Sequence, residues 1–463
     1  MLNRSKTRSG ERRQKRLSRT YPVLSAAIIL LSAVGASAQE PITITLQQAV
    51  QLGLERNPTL LTAENSAELS SLTVRQQRMQ LLPSLNVTSS TQQSYGRTFN
   101  QDEGRILNQT TQSFNGGLSS NVVLFNGLSN LASLRQARLT ESANLSDLDR
   151  ARQTVVFTVL SGYLTIVEQQ EQLRVQQENL ASVEALEAQI QAYVDAGVRP
   201  ISDLYQQQAV TANTRLQLVQ ARRSVELARM SLLRILQLDP SEEYIFPAPE
   251  LTEPSVIDGG VDLDQLTQQA LSRRPDVAAA EARVMAADQA VRIASGSRWP
   301  ALSLTLGYNS GYNSSSETDF FDQLDERRGG SVGVNLSLPI FDRASSSIAK
   351  QRGRIQAENA RVSLEGARQG VAIEVRTAFL DLEYAEEQLR QAEAQLRAAE
   401  LGLEASQERY NVGATTFVEL SQARAAQVRA ASDLVTARHG LVFQSRLVDY
   451  YLGNLTIANA DDL

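Results

Sequence analysis

Between Leu302 and Tyr312 apolar side chains alternate with small polar ones. Leu302, Leu304, Leu306, Tyr308 and Tyr312 interleave with Ser303, Thr305, Gly307, Asn309 and Gly311. After a polar loop the alternation resumes, with Val332, Val334, Leu336, Leu338 and Ile340 set between Gly333, Asn335, Ser337 and Pro339. A period of two with one apolar face is the mark of a half-buried strand. It predicts strands over about 301–312 and 331–340, and a weaker form of it predicts strands over about 84–95 and 114–125. Each is long enough to cross a bilayer when tilted, which takes about 9–11 residues. An ordinary hairpin over a soluble core would show the same pattern.

The remaining periodicity is helical. Val371, Val375, Ala378, Leu382, Ala385, Leu389, Ala392, Leu396, Ala399 and Leu403 step by four and three without a miss. That is a heptad seam, within a stretch free of proline that predicts one helix over 343–410. Such a helix is about 100 Å long at ~1.5 Å per residue. A first copy of the seam, Val155, Val159, Gly162, Ile166, Gln169, Leu173, Gln176, Leu180, Val183 and Glu187, admits polar residues and belongs to a long helix over about 127–195. Shorter helices follow at about 201–237 and 417–452. A solvated two-stranded coiled coil is the alternative meaning of the stripe.

The chain is one unit written twice. Asn57-Pro58 returns as Arg274-Pro275, Leu82-Pro83-Ser84-Leu85 as Trp299-Pro300-Ala301-Leu302, and Leu124-Phe125-Asn126 as Ile340-Phe341-Asp342. Tyr193, Gly197 and Asp203-Leu204 return as Tyr410, Gly413 and Glu419-Leu420. All recur in order at one nearly constant offset, which duplication explains. The predicted organisation is a first repeat over 39–238, a Pro- and Gly-rich linker over 239–260, a second repeat over 261–455 and a tail at 456–463.

Composition narrows the function. The 463 residues include no cysteine and one histidine, His439, so thiol chemistry and a multi-His metal site in one chain are excluded. No phosphate-cradling or dinucleotide motif is present, so neither a cofactor nor an internal energy source is expected, and no enzyme. Residues 1–38 carry eight basic side chains against Glu11, a net of +7, so the formal charge of −6 leaves −13 on the rest. An acidic body argues against nucleic acid as a partner. The basic stretch runs into the apolar segment Val23–Val34 and then Ala36-Ser37-Ala38, which reads as a cleaved secretory signal over 1–38; a short membrane anchor is the alternative.

Four membrane strands cannot close a barrel within one chain, and open edges in lipid leave backbone groups unpaired. Four strands from each of three symmetric copies would give twelve. With that, the chain resembles the TolC-like outer-membrane efflux protein family over essentially all of 42–455. The resemblance is carried by Leu46-Gln47-Gln48-Ala49 through Asn57-Pro58 and its echo from Leu266 to Arg274-Pro275, by Leu82-Pro83-Ser84-Leu85 and Phe125-Asn126-Gly127, and by the two segments Tyr193–Leu204 and Tyr410–Leu420. It implies a mixed α and β membrane protein: a homotrimer whose twelve-stranded outer-membrane β-barrel continues into a long periplasmic α-helical coiled-coil barrel. It also implies a passive exit duct set in outer-membrane lipid. A periplasmic adaptor (membrane fusion) protein would join the duct to an inner-membrane transporter of the RND, ABC or MFS type.

The resemblance assigns roles to particular residues. Gly197 and Val198, with Gly413 and Ala414, form the helix-hairpin tips that would face the adaptor; a helix-ending turn alone would also explain the glycines. Glu419 matches the first of two acidic residues at the pore aperture, and Gln422 stands where the second is expected. Asp203 and Tyr410 match a hydrogen-bonded pair of the closed state, while Thr415 replaces a basic residue often found with them. Helix capping is the plainer reading of Glu419 and Asp203. Trp299, Phe125 and Phe341 suit an aromatic belt at the membrane interface, or simple local packing. The rival to the channel is a periplasmic coiled-coil adaptor without a pore, against which the duplication and the paired strands argue.

Overall fold

A computed structural model describes residues 41–100, 104–249 and 262–455. The signal sequence expected over 1–38, the later part of the linker and the tail at 456–463 lie outside the described residues. In chain order the elements are β1 (Ile42–Thr43), α1 (Leu46–Arg56), α2 (Pro58–Met79), β2 (Ser84–Asn100), β3 (Arg105–Asn126), α3 (Ser129–Asp195), α4 (Ile201–Leu236), β4 (Tyr244–Ile245), α5 (Leu263–Arg273), α6 (Pro275–Gly296), β5 (Ala301–Asn313), α7 (Phe320–Glu326), β6 (Gly329–Ser337), α8 (Ser345–Asn411) and α9 (Phe417–Tyr451). The helices repeat in length as well as order. α1 and α5 have 11 residues each, α2 and α6 have 22, α3 and α8 have 67, and α4 and α9 have 36 and 35.

The doublets that recur in the sequence sit at helix starts, for a physical reason. Pro58 opens α2 where its missing N–H costs nothing, and Asn57 accepts from the Thr59 N–H at 2.9 Å. Asn126 accepts from the Asn130 N–H at 3.3 Å, and Asp342 from the Ser346 N–H at 2.8 Å, each at the start of a 67-residue helix. The chain turns into both long helices through two left-handed residues: Gly127 and Leu128 (φ 65° and 63°) before α3, and Arg343 and Ala344 (φ 53° and 62°) before α8.

The four strands form one antiparallel sheet in the order β2-β3-β5-β6. Register puts Leu85, Ser120, Leu306 and Val332 in one row, and Val122, Leu304 and Val334 in the next. The opposite face carries Asn86, Ser119, Gly307 and Ser331, then Ser84, Asn121, Thr305 and Gly333. One face is therefore apolar across all four strands, yet it is exposed: Val87 is 81% and Val332 75% accessible. Below the sheet, α2 and α4 flank α3, α6 lies between α3 and α8, and α9 packs on both α8 and α3.

In α8 the seam residues Val371, Val375, Ala378, Leu382, Ala385 and Ala392 are buried, while Leu389, Leu396, Ala399 and Leu403 are half-buried. The largest apolar core gathers Val155, Val159, Leu160, Tyr163 and Ile166 of α3 with residues of α1, α2, α4 and the 244–246 segment. Tyr163 donates to the Pro247 carbonyl at 2.6 Å, and its burial pushes the phenol up to about 12. Among the described residues, no helix is long and apolar enough to cross a membrane.

Several boundaries differ from the sequence reading. The strand expected over 331–340 is Gly329–Ser337, because Pro339 has no N–H to give a ladder. The strands expected over 84–95 and 114–125 extend to Ser84–Asn100 and Arg105–Asn126, forming a hairpin that outruns β5. The loop between β5 and β6 holds a short helix, α7. Its Gln323 is buried, accepting from the Asn313 N–H at 3.0 Å and donating to the Thr318 carbonyl at 2.6 Å. Phe320 packs on Phe114 and Tyr312, with ring centres 5.7 and 5.1 Å away.

Candidate functional site: the paired helix tips

At the end of the molecule remote from the sheet, two helical hairpins turn side by side. The first turns between α3 and α4 through Gly197, the second between α8 and α9 through Gly413, with φ of 71° and 76° that glycine adopts without strain. The first turn closes when the Val198 N–H reaches back to the Tyr193 carbonyl at 2.9 Å, the second when the Ala414 N–H reaches the Arg409 carbonyl at 2.7 Å. Val198 and the Gly413–Ala414 pair are exposed at the turns. A small apolar cluster of Leu186, Ile190, Leu204, Tyr410, Phe417 and Leu420 ties the hairpins together just above them.

Tyr410 lies at the centre of this end. It is 1% accessible, packs edge-on to Phe417 with ring centres 6.4 Å apart, and donates to Asp203 Oδ2 at 3.4 Å. Burial pushes its phenol above the ordinary value and the Asp203 charge adds to that, so the hydroxyl stays a donor. The structure thus brings together Asp203 and Tyr410, which are 207 positions apart. Thr415 does not join them. Its hydroxyl donates to Glu419 on the same hairpin.

Glu419 sits in the first turn of α9, where the Thr416 side chain caps its N–H at 3.3 Å. Its carboxylate also lies 3.8 Å from Arg409, and its side chain is 55% accessible. It therefore stabilises a helix start while facing solvent. Gln422, one turn on, is exposed.

One residue at this end escaped the sequence reading. The Arg199 guanidinium lies over the Tyr410 ring, 4.2 Å from its centre, and donates to the Tyr410 carbonyl. Its cue in the sequence is slight, a lone cation in a turn of Ala, Gly, Val and Pro. At the opposite end, Trp299, Phe125 and Phe341 all lie where sheet meets helix and all are exposed.

A family model for outer membrane efflux proteins matches residues 49–236 and again 266–453. The chain belongs to that family. Among curated relatives it is 29% identical over 290 residues to the pyoverdine export outer membrane protein OpmQ of Pseudomonas aeruginosa, covering 61% of this chain and 56% of that protein. The chain thus spans about half the length of that relative. It is 23% identical to the outer membrane efflux protein BepC of Brucella suis, over 94% of this chain and 90% of the other. The fold is shared with solved channels. CusC matches with a TM-score of 0.79 at 19% identity, over 89% of this chain and 92% of the other. The CmeC outer membrane channel of Campylobacter jejuni matches with 0.76 at 19%, over 90% and 88%. The efflux family and these neighbours are channels rather than enzymes.

Proposed function

We propose that this efflux-family chain is one third of a homotrimeric exit duct in the outer membrane. A single observation carries the reading: the sheet is apolar and exposed on one face, polar on the other, and open at both edges. In lipid each unpaired backbone group costs several kcal/mol, so β2 and β6 need partners, and another copy of this sheet supplies both. The helical layers support the same closure. α2 and α4 flank one side and α8 the other, so each layer ends on a first-repeat element at one edge and a second-repeat element at the opposite edge. Three copies give a twelve-stranded barrel with polar residues lining the lumen, continued by a barrel of helices through the periplasm.

The duct is passive and catalyses nothing. Energy enters through a periplasmic adaptor that meets the Gly197–Val198 and Gly413–Ala414 tips and couples them to an inner-membrane RND, ABC or MFS transporter. Glu419 contributes an acidic ring at the aperture, with neutral Gln422 one turn on, and the Asp203–Tyr410 contact belongs to the closed state. Trp299, Phe125 and Phe341 mark the periplasmic face of the bilayer, and the segment 1–38 is removed after export. The relative that exports pyoverdine suggests a small secreted molecule as cargo.

Membrane fractionation followed by sizing in mild detergent tests the proposal. A trimer in the outer membrane is expected, and a soluble periplasmic monomer would refute it.

A further inference from the structure

We infer that Arg199 is the clamp that holds the second helix tip against the first, and that releasing it widens the aperture. The inference rests on the duct reading above. Three attractions converge on this guanidinium. It sits over the Tyr410 ring, where an aromatic quadrupole attracts a cation. Its N–H donates to the Tyr410 carbonyl, which also accepts from Gly413 at 3.0 Å, so both lone pairs of that oxygen are used. That carbonyl belongs to the last turn of α8, where the helix dipole favours positive charge. Pro200 follows directly, fixing the backbone on one side of the arginine.

The duplication provides an internal comparison. The position equivalent to Arg199 in the second tip is Thr415, whose hydroxyl turns to Glu419 of its own hairpin. The position equivalent to Tyr410 in the first tip is Val194, whose carbonyl accepts from Gly197 at 2.9 Å as that of Tyr410 does from Gly413, and whose side chain has neither ring nor hydroxyl. Neither side chain makes a polar bridge to the other hairpin. The polar side-chain bridges between tips therefore centre on one tyrosine, with Arg199 above its ring and Asp203 at its hydroxyl. Displacing the α8–α9 hairpin from the α3–α4 hairpin must uncover this ring and break the arginine contact. Loss of a partly desolvated contact of this kind shifts a closed-to-open ratio on the order of tenfold per protomer.

The test uses the full-length protein in planar bilayers. Arg199→Ala and Tyr410→Leu should each raise mean single-channel conductance several-fold. The double variant should exceed the larger single effect by little, since both remove one contact. Arg199→Lys should restore less than half of the closure, because an ammonium keeps the charge but not the flat fork. Arg215→Ala breaks an exposed pair with Glu184 inside one hairpin and should conduct as the wild type. Wild-type conductance in Arg199→Ala overturns the clamp. Absence of channels from the wild-type protein would instead overturn the duct reading. The clamp is then read from hydrogen exchange of amides 408–414, faster in Arg199→Ala if the clamp exists and unchanged if it does not.

Discussion

Replacing Gly127 by alanine separates two costs that usually come together. Gly127 and Gly413 share left-handed backbone, with φ of 65° and 76°. A methyl in that conformation costs about 1–2 kcal/mol at either position. Their surroundings differ completely. A Cβ on Gly413 meets nothing within 4 Å, whereas one on Gly127 falls against the Gly296 carbonyl oxygen, 2.8 Å from Trp299 Cβ and 2.9 Å from Gly296 Cα. These are backbone atoms and the root of a side chain, so no rotamer change relieves them. Overpacking of that kind adds about 1–3 kcal/mol, occasionally more. Gly127→Ala should therefore lose about 2–5 kcal/mol per protomer and Gly413→Ala about 1–2 kcal/mol. The assay is the temperature at which the detergent-solubilised assembly dissociates, read on unheated gels. A large drop is expected for Gly127→Ala and a small one for Gly413→Ala. Equal drops would refute the close crossing of the two chain segments at the sheet–helix junction.

Charge at the aperture and acid stability yield two more tests. Glu419→Lys reverses an exposed charge that acts within a Debye length of about 8–10 Å, so in a salt gradient the reversal potential should move from cation toward anion preference; an unchanged potential would make Glu419 a helix-capping residue alone. Asp276 is raised by burial but lowered more by its hydrogen bonds to and the charge of Arg274, leaving it below the ordinary carboxylate value of 3.8. Its stabilising effect is therefore complete above about pH 4 and lost as pH falls through and below that value. Wild-type melting temperature should fall more steeply there than that of Asp276→Asn, and parallel curves would refute the assignment.

What the sequence discloses depends on whether the cause is local. The seam of α8 is written in heptad spacing, and residues such as Val371, Leu382 and Ala385 are buried where that spacing puts them on one face. The doublets Asn57-Pro58 and Phe125-Asn126 are legible because a cap acts within four residues. The far ends of β2 and β3 are not: Gln92, Gln93, Gly96 and Arg97 blur the alternation, and cross-strand pairing alone defines them. α7 is hidden in an acidic loop because Phe320 and Gln323 draw their support from β5 and its flank. Arg199 lies furthest from sight, since its meaning resides in a carbonyl 211 positions away.

The middle of the hairpins is built unlike their ends. No residue of α3 between Val167 and Val183 is buried, so the apolar core around the middle of α3 and the cluster at the tips are separated by a polar stretch. Within it Gln172 donates to the Ser432 carbonyl at 2.8 Å, and Arg424 of α9 lines two cavities of about 460 and 450 Å³. Lengthwise, each long helix is a beam whose backbone ladder runs 67 residues without a proline. Sideways, the 168–182 stretch of α3 meets α9 through polar contacts such as that of Gln172 with Ser432. Axial stiffness and lateral compliance thus come from different bonds in the same element, so the chain can bear thrust along its length while its hairpins shear past one another.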